Sequence, residues 1–242
     1  MNNKVKLLLT CEHGGNHVPD KFQYLFKKAA KDLNSHKGID FGAISTFNFL
    51  KPIADHGYAA NVTRLLVELN RSVHNKNLFS DYTKILKPYE KQSIINKYFR
   101  PYRNRVEKRI VALLESDQKI LHISSHSFTP KLNGETRNAD IGILFDPSVK
   151  LEKIAAQILK KTLNQKSPHL KVKFNYPYKG TSDGFTTYLR QKFTENYAGI
   201  EIEVNQKYFL KDKRSFYQLN RSLKTAIANT QEELNTIDFF SK

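Results

Sequence analysis

Lys119–Phe128 reads KILHISSHSF, an apolar stretch that turns polar towards its carboxyl end. Ile120, Leu121 and Ile123 are strand formers with no polar alternation between them, which is the pattern of a strand buried on both faces of a parallel sheet. Such strands lie in open α/β sheets, where ligands bind beyond the carboxyl ends of the strands. Ser124-Ser125-His126-Ser127 falls at that end. Side chains alternate across a strand, so His122 and His126, four apart, share one face.

Working outward, Glu90–Leu114 carries Ile94, Tyr98, Tyr102, Val106, Ile110 and Leu113 at helical spacing, with Pro101 expected to kink or split the helix. Towards the N-terminus, Val5–Thr10 is a short apolar strand that stops at Cys11-Glu12-His13-Gly14-Gly15. Lys21–Leu33 and Gly42–Ala54 have helical spacing, and Gly57–Val67 is strand-like. Towards the C-terminus come a strand at Ile141–Phe145, a helix at Leu151–Leu163 and a strand at Leu170–Tyr176. A helix over Gly184–Tyr197, a strand over Ile200–Val204 and a closing helix over Lys213–Leu234 follow. Strands alternating with helices predict an α/β fold, a three-layer α/β/α sandwich around a mainly parallel, mixed sheet. No repeat, linker or composition break interrupts residues 1–242, so a single domain is expected.

The composition restricts the function classes. With 39% hydrophobic and 12% aromatic residues the chain can build a core, which excludes a wholly disordered protein. No apolar run approaches the ~20 residues of a membrane span. Met1–Thr10 holds only a three-leucine stretch, too short for a secretory signal. The single cysteine, Cys11, excludes an intramolecular disulfide framework and a multi-cysteine zinc site. A soluble, cytoplasmic protein is expected. Lys and Arg total 40 against 23 Asp and Glu, a net charge of +17. These cations are scattered through nearly every segment, and the densest, Arg100–Arg109, follows a helical apolar pattern. The charge therefore reads first as a solvated surface, next as attraction for an acidic substrate, and least as a nucleic-acid interface.

Three segments place reactive groups at strand ends: Glu12–His17, Ser124–Ser127, and the alternating Glu201 and Glu203. A fourth, His36–Ala43, precedes a helix instead. Two histidines and a carboxylate from separate strand ends suit zinc and leave a position open for water, with another carboxylate as general base. Of His122 and His126, one could be a ligand and the other its support. His17, His56, His74 and His169 read as capping or core groups. A serine nucleophile is disfavoured, since Ser124, Ser125 and Ser127 lie outside any Gly-x-Ser-x-Gly elbow. Cys11 reads as a small buried residue, and Gly14-Gly15 has neither phosphate-loop spacing.

Eight pieces in register carry a resemblance. They are CEHGGNHVP (Cys11–Pro19), HKGIDFGA (His36–Ala43), TRLLVELNR (Thr63–Arg71), PYR (Pro101–Arg103), SSHSFTP (Ser124–Pro130), RNADIGILFDP (Arg137–Pro147), PYKGTSDG (Pro177–Gly184) and IEIEVNQ (Ile200–Gln206). In this order, over nearly the whole chain, they resemble the N-formylglutamate amidohydrolase family, related to zinc exopeptidases of the phosphorylase/hydrolase-like fold and to zinc amidases of cell-wall turnover. The resemblance implies one zinc ion held by His13, Asp40 and His126, and Glu203 as the general base. His17 and His36 are the alternative ligands to Asp40, and Glu201 the alternative base, since it shares a strand face with Glu203. Arg64, Asn70, Arg71 and Arg137 match polar and basic positions of the family, where an arginine fork suits a substrate carboxylate. Two positions depart from the pattern. Ser124 stands where better-known members carry an aspartate, and Val204-Asn205-Gln206 where an arginine usually follows the glutamate.

The expected activity is hydrolysis of an amide C–N bond in a small N-formyl or N-acyl amino acid carrying a carboxylate, with N-formyl-L-glutamate the default. The alternatives are a zinc carboxypeptidase-like or cell-wall amidase activity on a larger substrate, and a non-enzymatic, basic nucleic-acid-binding module. A roomy cleft beyond His13 and His126 would favour the larger substrate, and a closed pocket capped by arginines the small acidic one.

Overall fold

The computed structural model describes residues 4–236. Its strands are β1 (Val5–Cys11), β2 (His56–Ala59), β3 (Lys119–Phe128), β4 (Lys131–Leu132), β5 (Glu135–Thr136), β6 (Ile141–Leu144), β7 (Val172–Phe174) and β8 (Tyr197–Asn205). The helices are α1 (Ala30–Leu33), α2 (Ala43–Leu50), α3 (Pro88–Ile94), α4 (Arg100–Leu114), α5 (Lys150–Lys166), α6 (Phe185–Lys192), α7 (Gln206–Lys211) and α8 (Lys213–Thr236). Six strands form one sheet in the order β2-β1-β3-β8-β6-β7, while β4 and β5 make a separate small hairpin. Within the sheet β2, β1, β3 and β8 run parallel; β6 pairs antiparallel with β8 and carries β7 parallel to itself. The expected mixed, mainly parallel α/β sheet is therefore observed. The ends of the expected single domain, residues 1–3 and 237–242, lie outside the described residues.

β3 is buried at all ten positions, as a central strand must be. On one face of the sheet Leu7, Leu9, Leu121, Ile123, Ile200 and Ile202 pack with Phe47 of α2, Leu159 of α5, and Leu223 and Ile227 of α8. On the other, Leu8, Ile120 and Tyr197 pack with Ile94 of α3, Val106 and Ile110 of α4, and Phe185 and Leu189 of α6. The second face changes character along the strands. Beyond Leu8 come Thr10 and Glu12, beyond Ile120 come His122, Ser124 and His126, and beyond Tyr197 come Glu201 and Glu203. The register sets Thr10 beside Ser124, Ser124 beside Glu201, and His126 beside Glu203. Adjacent parallel strands thus bring three polar rows together at one end of the sheet.

His122 belongs to the support of this face. Its ring nitrogens lie 2.8 Å from Thr10 Oγ1 and 2.6 Å from the Tyr197 hydroxyl. Burial, with His126 and Arg190 nearby and only Glu12 opposing, lowers its pKa to about 4. A second buried polar tie joins the layers at the start of β8. Arg190 of α6 pairs with Glu152 of α5 at 2.7 Å and donates to the carbonyls of Gly180 and Gly199.

Several predicted elements are shorter or differently wound. Lys21–Leu33 is a 3₁₀ helix over Asp20–Phe26 followed by α1, with Phe22 and Phe26 still buried. The strand expected over Gly57–Val67 ends at Ala59, because the chain there turns to hydrogen-bond with His17. The helix over Gly42–Ala54 keeps its α form only to Leu50 and finishes in a 3₁₀ turn. The long helix splits before Pro101: α3 passes into a π-helical turn, Ile95–Phe99, and α4 resumes at Arg100. Proline offers no N–H to the carbonyl four residues back and its ring crowds that carbonyl, and the wide turn relieves both. Among the described residues no helix is long and apolar enough to cross a membrane.

Candidate active site

His13 lies two residues past the end of β1, Asp40 in the loop before α2, and His126 near the end of β3. One donor atom from each falls within 4.8 Å of the others, and all three residues are buried. Asp40 Oδ2 is the meeting point, 3.1 Å from His13 Nδ1 and 3.0 Å from His126 Nδ1. The loop that delivers Asp40 is fastened to β3 by two serines on the opposite face of that strand. Ser125 Oγ donates to the Ala43 carbonyl at 3.0 Å and Ser127 Oγ to the Phe41 carbonyl at 2.8 Å. Gly42 closes the loop at φ +85°, a conformation that favours glycine, and its α-carbon faces Phe209 so closely that an added Cβ would come within 2.8 Å of the Phe209 Cβ.

The far nitrogen of each imidazole meets a further carboxylate. His13 Nε2 binds Glu68 Oε1 in a short hydrogen bond, and His126 Nε2 lies 3.2 Å from Glu12 Oε2. Arg64 holds both Glu68 and Asp40, through Nε to Glu68 Oε2 at 2.8 Å and Nη1 to Asp40 Oδ1 at 3.1 Å. Ser124 Oγ and the Tyr102 hydroxyl donate to the two oxygens of Glu12 at 2.6 and 2.8 Å. Burial opposes charge on every one of these groups, yet the pairing prevails. Hydrogen bonds donated to Asp40 and Glu12 raise the pKa of His126, and Glu68 and Asp40 raise that of His13 against burial and Arg64. His126 and Ser124 hold Glu12 below the usual carboxylate range despite its burial; Arg64 and His13 do the same for Glu68.

Glu203 stands apart from this pairing. Its Oε2 is buried with no hydrogen-bond partner among the described residues. Burial, reinforced by Asp40 and Glu201 against the pull of His126, pushes its carboxyl up to about 8. Glu201 lines the same cavity but accepts a 2.6 Å hydrogen bond from Thr186 Oγ1. The cavity measures about 170 Å³ and is lined by His13, Asp40, His126, Glu201 and Glu203 together with Arg64, Asn70, Arg71 and Lys179. A larger groove of about 560 Å³ on the surface of α4 is lined by Tyr58, Arg105, Lys108 and Arg109, with no imidazole or carboxylate.

The donor set fits a divalent ion such as zinc. Two imidazoles and one carboxylate converge, their outer nitrogens are already bound to carboxylates, and an unpartnered carboxylate faces the same space. Of the expected substrate-binding residues, Arg64, Asn70 and Arg71 line the cavity. Arg64 is engaged with Asp40 and Glu68, and Asn70 Oδ1 accepts from the Phe185 N–H at 2.7 Å. Arg71 Nη1 donates to the carbonyls of Asn70 and Asp183. Arg137 does not line the cavity; it donates to Thr129 and to the hydroxyl of Tyr178, a lining residue, and stacks on that ring. His17 and His36 are exposed and outside the converging group. Cys11 is fully buried, and burial beside Glu12 and Asp40 raises its thiol pKa.

The sequence reading includes Glu12 in a reactive strand-end segment but gives it no role, and it misses Glu68 altogether. Both stand inside quoted segments, and the available signal was a carboxylate beside a histidine (Glu12) and one four residues after an arginine (Glu68). Neither spacing says which imidazole a carboxylate reaches, since that depends on strand order. Lys179 is likewise visible only once the cavity is.

A protein-family profile described as N-formylglutamate amidohydrolase matches residues 5–210. The fold is similar to that of gene product Atu2144 from Agrobacterium tumefaciens, with TM-score 0.81 and 20% identity over 95% of this chain and 91% of that one. It is also similar to N-formylglutamate amidohydrolase from Ralstonia eutropha JMP134, with TM-score 0.70 and 17% identity over 94% of each chain. Among curated proteins none matches.

Proposed function

The chain belongs to the N-formylglutamate amidohydrolase family, and from that premise we propose that it is a zinc-dependent amidohydrolase. Its substrate in this reading is a small N-formyl or N-acyl amino acid, with N-formyl-L-glutamate the first to test. The observation that carries the proposal is the convergence of His13, Asp40 and His126 on one buried point beside the unpartnered Glu203 Oε2. These three residues would hold the ion, which when bound supplies Lewis acidity for a carbonyl and for water, and a positive charge that favours ionised Glu203.

The chain's own groups do the rest. Glu203 Oε2 takes a proton from the water that attacks the amide carbonyl carbon, and returns it to the nitrogen as the C–N bond breaks. Its free oxygen distinguishes it from Glu201, which Thr186 already engages. Arg71 and Lys179 are the cations left to receive a substrate carboxylate; the Lys179 ammonium has no partner among the described residues. Arg64 orients Asp40 and Glu68, and Arg137 steadies Tyr178 at the rim. A cavity of about 170 Å³ with this charge favours a small acidic amide over a cell-wall fragment or polypeptide. The same reading takes residues 1–242 as one domain working in the cytoplasm.

The test is release of formate from N-formyl-L-glutamate by the zinc-loaded protein. Glu203→Gln is expected to lower kcat by about 10²–10⁴-fold while retaining the ion. Full turnover by that variant would remove Glu203 from the mechanism, and no turnover of any N-acyl amino acid by the wild type would overturn the substrate class.

A further inference from the structure

We propose that Glu12 is the positioning residue for His126: it fixes the ring so that Nδ1 faces the point shared with His13 and Asp40. This inference rests on the metal-site reading above and adds a residue to it.

Glu12 adjoins His13 in sequence but serves the histidine of the neighbouring strand. β1 and β3 are parallel with Thr10 opposite Ser124, so two residues further on Glu12 comes level with His126 on the same face of the sheet. Glu12 Oε2 lies 3.2 Å from His126 Nε2, and Oδ2 of Asp40 lies 3.0 Å from Nδ1. Asn70 Nδ2 also lies near Nε2, at 3.4 Å; Glu12 with Asn70 beside it on one nitrogen and Asp40 on the other leave the ring no free rotation about its χ2. Only Nε2 can give its proton to Glu12 while Nδ1 keeps a lone pair for a cation.

Glu12 is itself held at both oxygens. Ser124 Oγ donates to Oε2 at 2.6 Å, and the Tyr102 hydroxyl donates to Oε1 at 2.8 Å. Glu12 is 1% exposed, so no water competes for these positions. Tyr102 comes from α4, beyond the split at Pro101, and therefore ties the helical layer to the site. Ser124 precedes His126 by two residues on the same strand face. It supplies a donor to the carboxylate rather than a carboxylate of its own. The arrangement accounts for three buried polar residues that the proposed chemistry leaves without a task.

The experiment measures zinc affinity by competition with a chromophoric chelator, on wild type, Glu12→Gln, Ser124→Ala and the double variant Glu12→Gln/Ser124→Asp. Loss of an outer carboxylate on a ligating histidine typically weakens metal binding by about 10–100-fold. Glu12→Gln is expected in that range with the apo-protein still folded by circular dichroism, and Ser124→Ala is expected to lose less. The double variant returns a carboxylate to the same face of the same strand and is expected to recover most of the affinity. A purely structural role for Glu12 would show no such rescue. Wild-type affinity in Glu12→Gln overturns the assignment of Glu12 alone, and so does a double variant no tighter than Glu12→Gln. If Glu12→Gln does not fold, Ser124→Ala decides, and unchanged affinity there overturns the proposal. A wild-type protein that holds no zinc overturns the metal-site reading on which the assignment rests.

Discussion

At the scale of single residues the site is a set of paired charges arranged around one carboxylate without a pair. The imidazoles of His13 and His126 each lie between two acidic groups, whereas Glu203 keeps an oxygen with no partner among the described residues. His122 follows a different logic although it shares a strand face with His126. Held between Thr10 and Tyr197, it stays neutral in the fold, with its pKa lowered to about 4 from an ordinary value near 6.5. Between those values the unfolded chain binds the extra proton, so the contribution of His122 is whole above pH 6.5 and is lost as pH falls towards 4. The loss amounts to about 3 kcal/mol at most. Denaturant titrations of the metal-free protein should therefore show wild type losing stability relative to His122→Gln across this window. A difference independent of pH would mean that His122 does not titrate as its surroundings imply. The sequence already placed both histidines on one face; which of them faced a second nitrogen ligand required the neighbouring strand.

At the scale of elements, KILHISSHSF was readable because a central strand has no choice: it is apolar until it reaches the site. Asp40 was invisible to a strand-end rule, because it arrives from a loop that Ser125 and Ser127 fasten from the far face of β3. Asn205 and Gln206, which depart from the family pattern, have structural tasks here. Asn205 caps α7 through the Lys207 N–H and donates to the Ala139 carbonyl, and Gln206 donates to Ser127. The break in the long helix was legible from Pro101, whereas the end of β2 was not, since it depends on the pairing with His17, distant in sequence. One position in β6 offers a sharp test. Gly142 pairs with Glu203, and a Cβ there would lie 1.9 Å from the Tyr176 carbonyl oxygen and 3.2 Å from Glu203 Cβ. Gly142→Ala is expected to cost about 1–3 kcal/mol, lowering Tm by about 2–4 °C per kcal/mol in a chain of this size. An unaltered Tm would show that β6 and the Tyr176 segment separate freely.

At the scale of the whole molecule, the parallel strands and the turn of the chain after β2 gather groups from residue 12 to residue 203 into one end of the sheet. The net charge of +17 is spread over the surface, and it leaves Lys179 and Arg71 at the cavity as the cations of functional interest. Because His13, Asp40 and His126 come from the turn after β1, the loop before α2 and β3, an ion held by them would crosslink distant parts of the fold. Zinc at a hundredfold its Kd should then stabilise the native state by about 2.7 kcal/mol, read as a rise in Tm that His126→Ala abolishes. A rise of equal size in that variant would mean that the ion binds elsewhere. The central claim, a metal site made of His13, Asp40 and His126, is tested most directly by zinc content after equilibration with the ion and removal of excess. About one zinc per wild-type chain, absent from His126→Ala, is the predicted result; no tightly held metal in the wild type, or equal metal in both proteins, would contradict it.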